Sequence, residues 1–162
     1  MEPSETVCPA VGLFSAAFAL SGISSVDAQH VEILQLADKL HVAMTSGTAM
    51  MMIEDFLQEL EVCLAIHLGT EERLMETFRF DRRTDHIREH DRARDAVARL
   101  RAASGAGSMP IAFDTMEFLR GWLRPHLEGP DRELGDFLRE HYGKPVESAR
   151  PLAIETGDVG RA

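Results

Sequence analysis

Histidines and carboxylates stand at helical contact spacings in four places of this chain. They are His30; His67 with Glu71; His86 with His90; and His126 followed by Asp131. Residues four apart share one face of a helix, so both members of such a pair can reach the same point. A neutral imidazole binds a divalent transition metal through one ring nitrogen, whereas a carboxylate has two oxygens and can span two ions. The set therefore predicts ligands for two metal ions, with Glu71 and Asp131 as the bridges.

Each of these polar residues takes the place of an apolar residue in the hydrophobic stripe of its helix. The stripe of the second helix reads Ile53, Leu57, Leu60, Leu64, His67, Glu71, Leu74 and Phe78. An unpaired buried polar group costs roughly 1–3 kcal/mol. One such histidine is readily explained by a hydrogen bond to a backbone carbonyl. Five histidines and two carboxylates on converging stripes indicate a metal centre instead.

Composition excludes several classes of partner. The chain has 162 residues and a formal net charge of -10, which disfavours nucleic acid and anionic membranes because both would repel it. No run is long enough to cross a bilayer. Two cysteines, Cys8 and Cys63, are too few for a disulfide framework and favour a cytoplasmic location. The apolar run 11–20 follows Glu2 and Glu5, and we therefore interpret it as an arm on the protein rather than a secretion signal.

Turn residues divide the chain into helices. Residues 1–22 are predicted to form an N-terminal arm, 23–142 a helical bundle and 143–162 a flexible tail. The predicted helices run from about 25 to 45, 49 to 79, 83 to 103 and 110 to 128, with a short one from 131 to 142. Helices of three or more turns joined by short loops favour an all-α, up-down-up-down four-helix bundle with a short C-terminal helix.

Three local features carry further expectations. Ser24 or Ser25 is predicted to cap the first helix. Gly69 lies inside the second helix, where glycine costs roughly 1 kcal/mol, so we expect another element to approach it closely. Pro125 lacks an amide hydrogen and presses on the carbonyl of Gly121, which predicts a kink between Gly121 and His126.

Taken together, the motifs resemble those of the hemerythrin family, and of the bacterial hemerythrins in particular. The resemblance covers about residues 22 to 134. Its landmarks are Gly22, Ile23, Val26, Asp27, Gln29 and His30; His67, Glu71, Glu72, Leu74 and Met75; His86, Glu89 and His90; and Trp122, Leu123, His126, Asp131 and Leu134.

This resemblance implies a pair of non-heme iron ions joined by an oxo or hydroxo bridge. By position, His86, His90 and His126 would hold one iron, His30 and His67 the second, and Glu71 and Asp131 both. The second iron would keep an open position for dioxygen, beside a pocket lined by Trp122 and Leu123. The chain departs from the usual family pattern at Leu68, Phe80 and Asp81, which could alter that pocket.

Reversible dioxygen binding, for carriage, storage or delivery, is the function that the resemblance implies, and this is not an enzymatic function. The alternatives are a di-iron enzyme that reduces peroxide or nitric oxide, and an iron- or oxygen-sensing module. The ligand set alone would also accept manganese or zinc. His41 with Met44, Met50, Met51 and Met52 would suit Cu(I), although methionine clusters at helix junctions are more often adaptable packing. The sequence does not indicate which protein would receive the oxygen or the signal.

Overall fold

Helices account for nearly all of the computed structural model, which describes residues 20–105 and 109–143. The helices are α1 (Ser24–Thr45), α2 (Ala49–Thr77), α3 (Arg83–Ser104), α4 (Met109–Phe118), a π-helical turn (Leu119–Leu123), α5 (Arg124–Glu128) and α6 (Pro130–Tyr142). These bounds differ from the predicted ones by at most two residues. The predicted arm and tail lie outside the described residues apart from positions 20–22 and 143, so both stay predictions.

Four helices pack into a closed bundle. Helix α1 contacts α2, α2 contacts α3, and α3 contacts α4, while α4 also contacts α1 and α2. The fourth helix of the bundle consists of α4, the π turn and α5 in succession, and α6 is the short C-terminal helix. The predicted all-α four-helix bundle is therefore confirmed. None of the described helices is long and apolar enough to cross a membrane.

The core consists of two separate apolar clusters. The larger one contains Ile33 and Leu64 among many others, and the smaller one contains Val26, Met75 and Leu134. On α1 and α2 the predicted metal ligands lie between these clusters in the sequence. On α1, for example, His30 lies between Val26 and Ile33. The bundle is thus built as two apolar blocks with a polar layer between them.

The start of α1 is held by an aspartate rather than by a serine. The carboxylate of Asp27 accepts hydrogen bonds from the backbone amide of Ser21 at 2.7 Å, from its hydroxyl at 2.7 Å and from the amide of Gly22 at 3.2 Å. The N-cap position is occupied by Ile23, which has no side-chain cap. The predicted serine cap is therefore wrong, because an aspartate inside the first turn reaches back to the preceding backbone.

A glycine does allow a close approach, but at a different position from the predicted one. A Cβ atom at Gly69 would meet nothing within 4 Å, so the close approach expected there is wrong. A Cβ atom at Gly135 would lie 1.8 Å from the carbonyl oxygen of Ser21. Helix α6 therefore packs directly against the backbone that precedes α1, which brings Asp131 on α6 into the bundle.

The disturbance expected from Pro125 takes the form of the π turn. Pro125 follows the turn by two residues and has no amide hydrogen to donate to the carbonyl of Gly121. A π turn widens the helix by one residue, and such turns often occur at functional sites. The π turn thus begins two residues before the predicted interval of Gly121 to His126 and overlaps it, and His126 follows within the next turn.

The contrast between the two glycines gives the first testable prediction. Gly135→Ala should lower the free energy of unfolding by ~1–3 kcal/mol, because its methyl group would overlap a backbone carbonyl. Gly69→Ala is the matched control and should raise it by roughly 0.5–1 kcal/mol, because the site is open and alanine favours the helix. Thermal or urea unfolding of both variants measures this. Equal stability of the two variants would contradict the packing of α6.

Candidate metal centre

Five histidines and two carboxylates meet in the polar layer of the bundle. Helix α1 supplies His30, α2 supplies His67 and Glu71, α3 supplies His86 and His90, α5 supplies His126 and α6 supplies Asp131. All seven side chains are buried, with exposed fractions between 0 and 3%. All seven predicted residues are therefore brought to one place, although they come from five different helices.

Asp131 faces histidines on both of its oxygens. Its Oδ2 lies 3.0 Å from Nε2 of His30 and 3.7 Å from Nε2 of His67. Its Oδ1 lies 3.0 Å from Nε2 of His126 and 3.2 Å from Nε2 of His86. Each oxygen thus serves a different pair of imidazoles, which is the arrangement expected of a carboxylate that spans two ions.

Glu71 occupies the other side of the same space. Its Oε2 lies 3.2 Å from Nε2 of His90, 3.4 Å from Nε2 of His86 and 3.8 Å from Nε2 of His67. Glu71 reaches His67 from the same helix and the other two histidines across to α3. Glu71 therefore faces one histidine of α2 and two of α3.

The donor atoms form two groups that share both carboxylates. One group comprises Glu71, His86, His90, His126 and Asp131, and the other comprises His30, His67, Glu71 and Asp131. Within each group the donor atoms lie within 4.8 Å of one another. Two ligands bound at about 2.1 Å to one ion are separated by roughly 3.0–3.4 Å at octahedral or tetrahedral angles. Five of the seven separations at Asp131 and Glu71 lie in this range, and the two to His67, at 3.7 and 3.8 Å, are slightly longer.

Buried polar atoms without partners support the same conclusion. Nε2 of His67, Nε2 of His90 and both carboxylate oxygens of Glu71 have no hydrogen-bond partner among the described residues. Buried polar groups in folded proteins are almost always satisfied. An imidazole nitrogen and a carboxylate oxygen are also the donors that transition metals accept. The residues thus fit a pair of metal ions.

Protonation in the layer favours metal binding at some positions and competes with it at others. Burial lowers the pKa of His67 to about 4, so its ring is neutral at pH 7 and its lone pair is available. Burial and Asp131 would raise the pKa of Glu71, but the imidazoles around it hold that pKa below its usual value. Burial lowers the pKa of His86, but the adjacent carboxylates of Asp131 and Glu71 outweigh burial and raise it to about 9. A metal ion at His86 must therefore displace a proton.

The two residues predicted to line an oxygen pocket lie on the fourth helix of the bundle. Trp122 is half-buried and stacks on His126, with ring centroids 4.4 Å apart, and on Phe118 at 5.7 Å. Leu123 is fully buried and belongs to the larger apolar cluster. Trp122 thus supports a histidine of the larger donor group, and the pocket role of both residues stays a prediction.

A surface cleft of about 310 Å³ approaches the larger donor group. Its lining includes His86, His126, Trp122, Pro125 and Phe80. Phe80, one of the departures from the family pattern, also contacts His86 through their rings, with centroids 6.4 Å apart. The methionines of the copper alternative, Met50 to Met52, are exposed at the start of α2 and form no buried site there.

Comparison with known proteins decides the family. Residues 21–138 match the family model described as hemerythrin HHE cation binding domain. A bacteriohemerythrin of Stenotrophomonas maltophilia (strain R551-3) is 30% identical over 120 residues, which are 74% of this chain and 77% of that protein. The chain belongs to the hemerythrin family. A bacteriohemerythrin of Methylococcus capsulatus (strain Bath) is 28% identical over 118 residues, covering 73% of this chain and 89% of that protein. The matched segment of the hemerythrin domain contains all seven buried donors.

Sequence reasoning assigned no role to one neighbour of this hemerythrin centre. Glu72 accepts a hydrogen bond at Oε1 from Nδ1 of His90 at 3.0 Å, and Arg94 donates to the same oxygen at 2.6 Å. Glu72 follows Glu71 directly, and its position about 100° further round α2 turns it towards α3. The signal in the sequence was a second carboxylate beside a predicted ligand, but which histidine it meets depends on how α2 and α3 pack.

Stabilisation by metal is the second testable prediction. Iron(II) added without oxygen to chelator-treated protein should raise the free energy of unfolding by about 2.7 kcal/mol per site at 100 times the dissociation constant. Asp131→Asn should lose most of that gain, because Asp131 faces both donor groups. Asp136→Asn, on the exposed face of the same helix, should keep it. Equal stabilisation of the two variants in thermal unfolding would show that the metal binds elsewhere.

Proposed function

We propose that this hemerythrin domain binds dioxygen reversibly at two non-heme iron ions. His86, His90 and His126 would hold one ion, His30 and His67 the other, and Glu71 and Asp131 both. The single observation that carries the proposal is that two donor groups of unequal histidine number share both carboxylates. The relatives named bacteriohemerythrin support iron and dioxygen as the ligands.

The inequality of the two groups makes dioxygen binding chemically reasonable. Iron(II) ions held by these residues would supply the electrons that reversible dioxygen binding requires. The group around His30 and His67 has one histidine fewer than the group around His86, His90 and His126. The group around His30 and His67 would therefore offer its ion fewer ligands and leave a coordination position for a small ligand.

The protein's own contribution is to keep this layer dry and its donors fixed. The apolar clusters on either side, which include Ile33 and Leu64 on one side and Val26 and Met75 on the other, keep bulk water away from the ligands. Excluding water favours reversible binding, because water and protons promote irreversible oxidation. The two carboxylates add less negative charge than a carboxylate-rich set would, and a histidine-rich set favours binding over oxidative catalysis.

A role in storage, carriage or delivery of dioxygen is the physiological form of the proposal. The two cysteines fit a reducing cytoplasm, and the net charge of -10 fits the absence of a nucleic-acid partner. We propose no catalytic residue, since reversible binding breaks no covalent bond in a substrate.

Exposure of the iron(II) protein to dioxygen is the third test. Visible absorption should appear when dioxygen is added to the anaerobic protein loaded with iron(II), and it should fade when the solution is degassed. Glu71→Ala, which lacks a shared carboxylate, should give no such reversible change, whereas Glu76→Ala on the exposed side of α2 should behave as the unaltered protein. Absorption that does not reverse, together with consumption of peroxide or nitric oxide, would instead identify an enzyme.

The division of histidines between two ions gives the fourth prediction. His30→Ala should reduce bound iron from about two ions per chain towards one, because His30 belongs to the smaller group alone. His141→Ala is the matched control and should keep both ions, since His141 is exposed and its Nδ1 donates a hydrogen bond to the carbonyl of Phe137. Colorimetric iron analysis after gel filtration measures both. Unchanged iron content in His30→Ala would refute the assignment of His30.

A further inference from the structure

One histidine of the centre has a charged partner on the side that faces away from the metal position. Nε2 of His90 points to Glu71 at 3.2 Å, and its other ring nitrogen, Nδ1, lies 3.0 Å from Oε1 of Glu72. His90 is fully buried, while the side chain of Glu72 is 27% exposed. Glu72 therefore links the buried ring to the surface of the bundle.

Arg94 extends this link on α3. Its Nη2 lies 2.6 Å from the same Oε1 of Glu72, and its Nη1 lies 3.1 Å from Oδ1 of Asp91. The side chain of Arg94 is 40% exposed, and its guanidinium holds Glu72 from the solvent side. Hydrogen bonds to charged groups are stronger than those between neutral groups, so the carboxylate is fixed from both sides.

The geometry determines where the proton of His90 lies. An ionised carboxylate only accepts hydrogen bonds, so the proton of the hydrogen bond must sit on Nδ1 of the neutral ring. Nε2 then carries the free lone pair, and Nε2 is the atom that faces Glu71. The Glu72 contact thus selects the tautomer of His90 that can bind a metal at the centre.

Other histidines of the centre lack this support. Nδ1 of His67, of His86 and of His126 has no hydrogen-bond partner among residues 20–105 and 109–143. A carboxylate that accepts from a metal-bound imidazole fixes the ring and makes it a stronger donor. The ring of His90 is therefore held in a more fixed orientation than the rings of these three.

We propose that Glu72 is a positioning residue of the metal centre, held in place by Arg94, and that it orients the ring of His90 towards the ion that His86, His90 and His126 would hold. The inference rests on the proposed function, since it requires His90 to bind a metal ion. The two hydrogen bonds from Arg94 to Glu72 and from His90 to Glu72 then connect the surface of α3 to that ion. Removing a partner of this kind weakens metal affinity by about 10–100-fold.

Titration of chelator-treated protein with Co²⁺, followed by its visible absorption, measures the first consequence. In Glu72→Ala, one of two Co²⁺ ions should bind about 10–100-fold more weakly, while the other keeps its affinity. Glu72→Gln retains an acceptor oxygen and the side-chain size but lacks the charge. It should fold normally, and its Co²⁺ affinity should lie between those of Glu72→Ala and the unaltered protein. Arg94→Gln should lose less Co²⁺ affinity than Glu72→Ala. Glu76 is exposed on α2, the helix that carries Glu72, and Glu76→Gln should lose no affinity.

The ring of His90 gives a readout that a purely structural ion pair would not change. In the diamagnetic Zn²⁺-loaded protein, ¹⁵N NMR should show Nδ1 of His90 protonated, with a proton that exchanges slowly with water. In Glu72→Ala this proton should exchange rapidly, and Glu72→Gln should restore part of the protection.

Three outcomes would overturn the proposal. Two-ion binding with unchanged affinities in Glu72→Ala would show that Glu72 does not position a ligand, while leaving the proposed function intact. Loss of stability in the metal-free Glu72→Ala protein with unchanged Co²⁺ affinity would show that Glu72 only joins α2 to α3. Failure of the unaltered protein to bind Co²⁺ or iron would remove the proposed function and this inference together.

Discussion

The burial of two carboxylates among five imidazoles is the constraint on which the rest of this structure depends. Glu71 and Asp131 are completely buried, and an isolated buried carboxylate is costly unless it is paired or bound to a metal. Asp131 meets this requirement by placing one oxygen near His30 and His67 and the other near His86 and His126. No pair of helices could supply these contacts alone, so the polar layer fixes how all of the ligand-bearing helices are placed.

Several features of the fold follow from the need to deliver Asp131 and His126 to this layer. Gly135 lets α6 pack on the backbone at Ser21, and Asp27 holds that backbone in place through three hydrogen bonds. The π turn Leu119–Leu123 and Pro125 precede His126 and change the path of the fourth helix of the bundle. The apolar clusters on both sides provide the hydrophobic stabilisation that the polar layer itself does not. The apolar clusters thus provide the stability of the bundle, and the polar layer between them provides the geometry of the site.

The sequence predicts the helices and the seven clustered residues well, because both depend on local periodicity. Ligands such as His67 and Glu71 are visible as interruptions of an apolar stripe, and the loop 46–48 is visible from its composition. Contacts that depend on packing between helices are not visible in this way. The role of Glu72 depends on the register of α2 against α3, and the close approach occurs at Gly135 rather than at Gly69 because nothing local distinguishes the two glycines. The hydrogen bonds that Asp27 accepts from Ser21 and Gly22 were missed, because these donors precede the helix.

Anomalous diffraction at the iron edge from crystals of the iron-loaded protein tests the central claim most directly. Two peaks are expected inside the bundle, one beside His86, His90 and His126 and one beside His30 and His67. Each should lie about 2.0–2.2 Å from an oxygen of both Glu71 and Asp131. A single peak, or peaks away from the layer between the two apolar clusters, would contradict a shared two-ion centre.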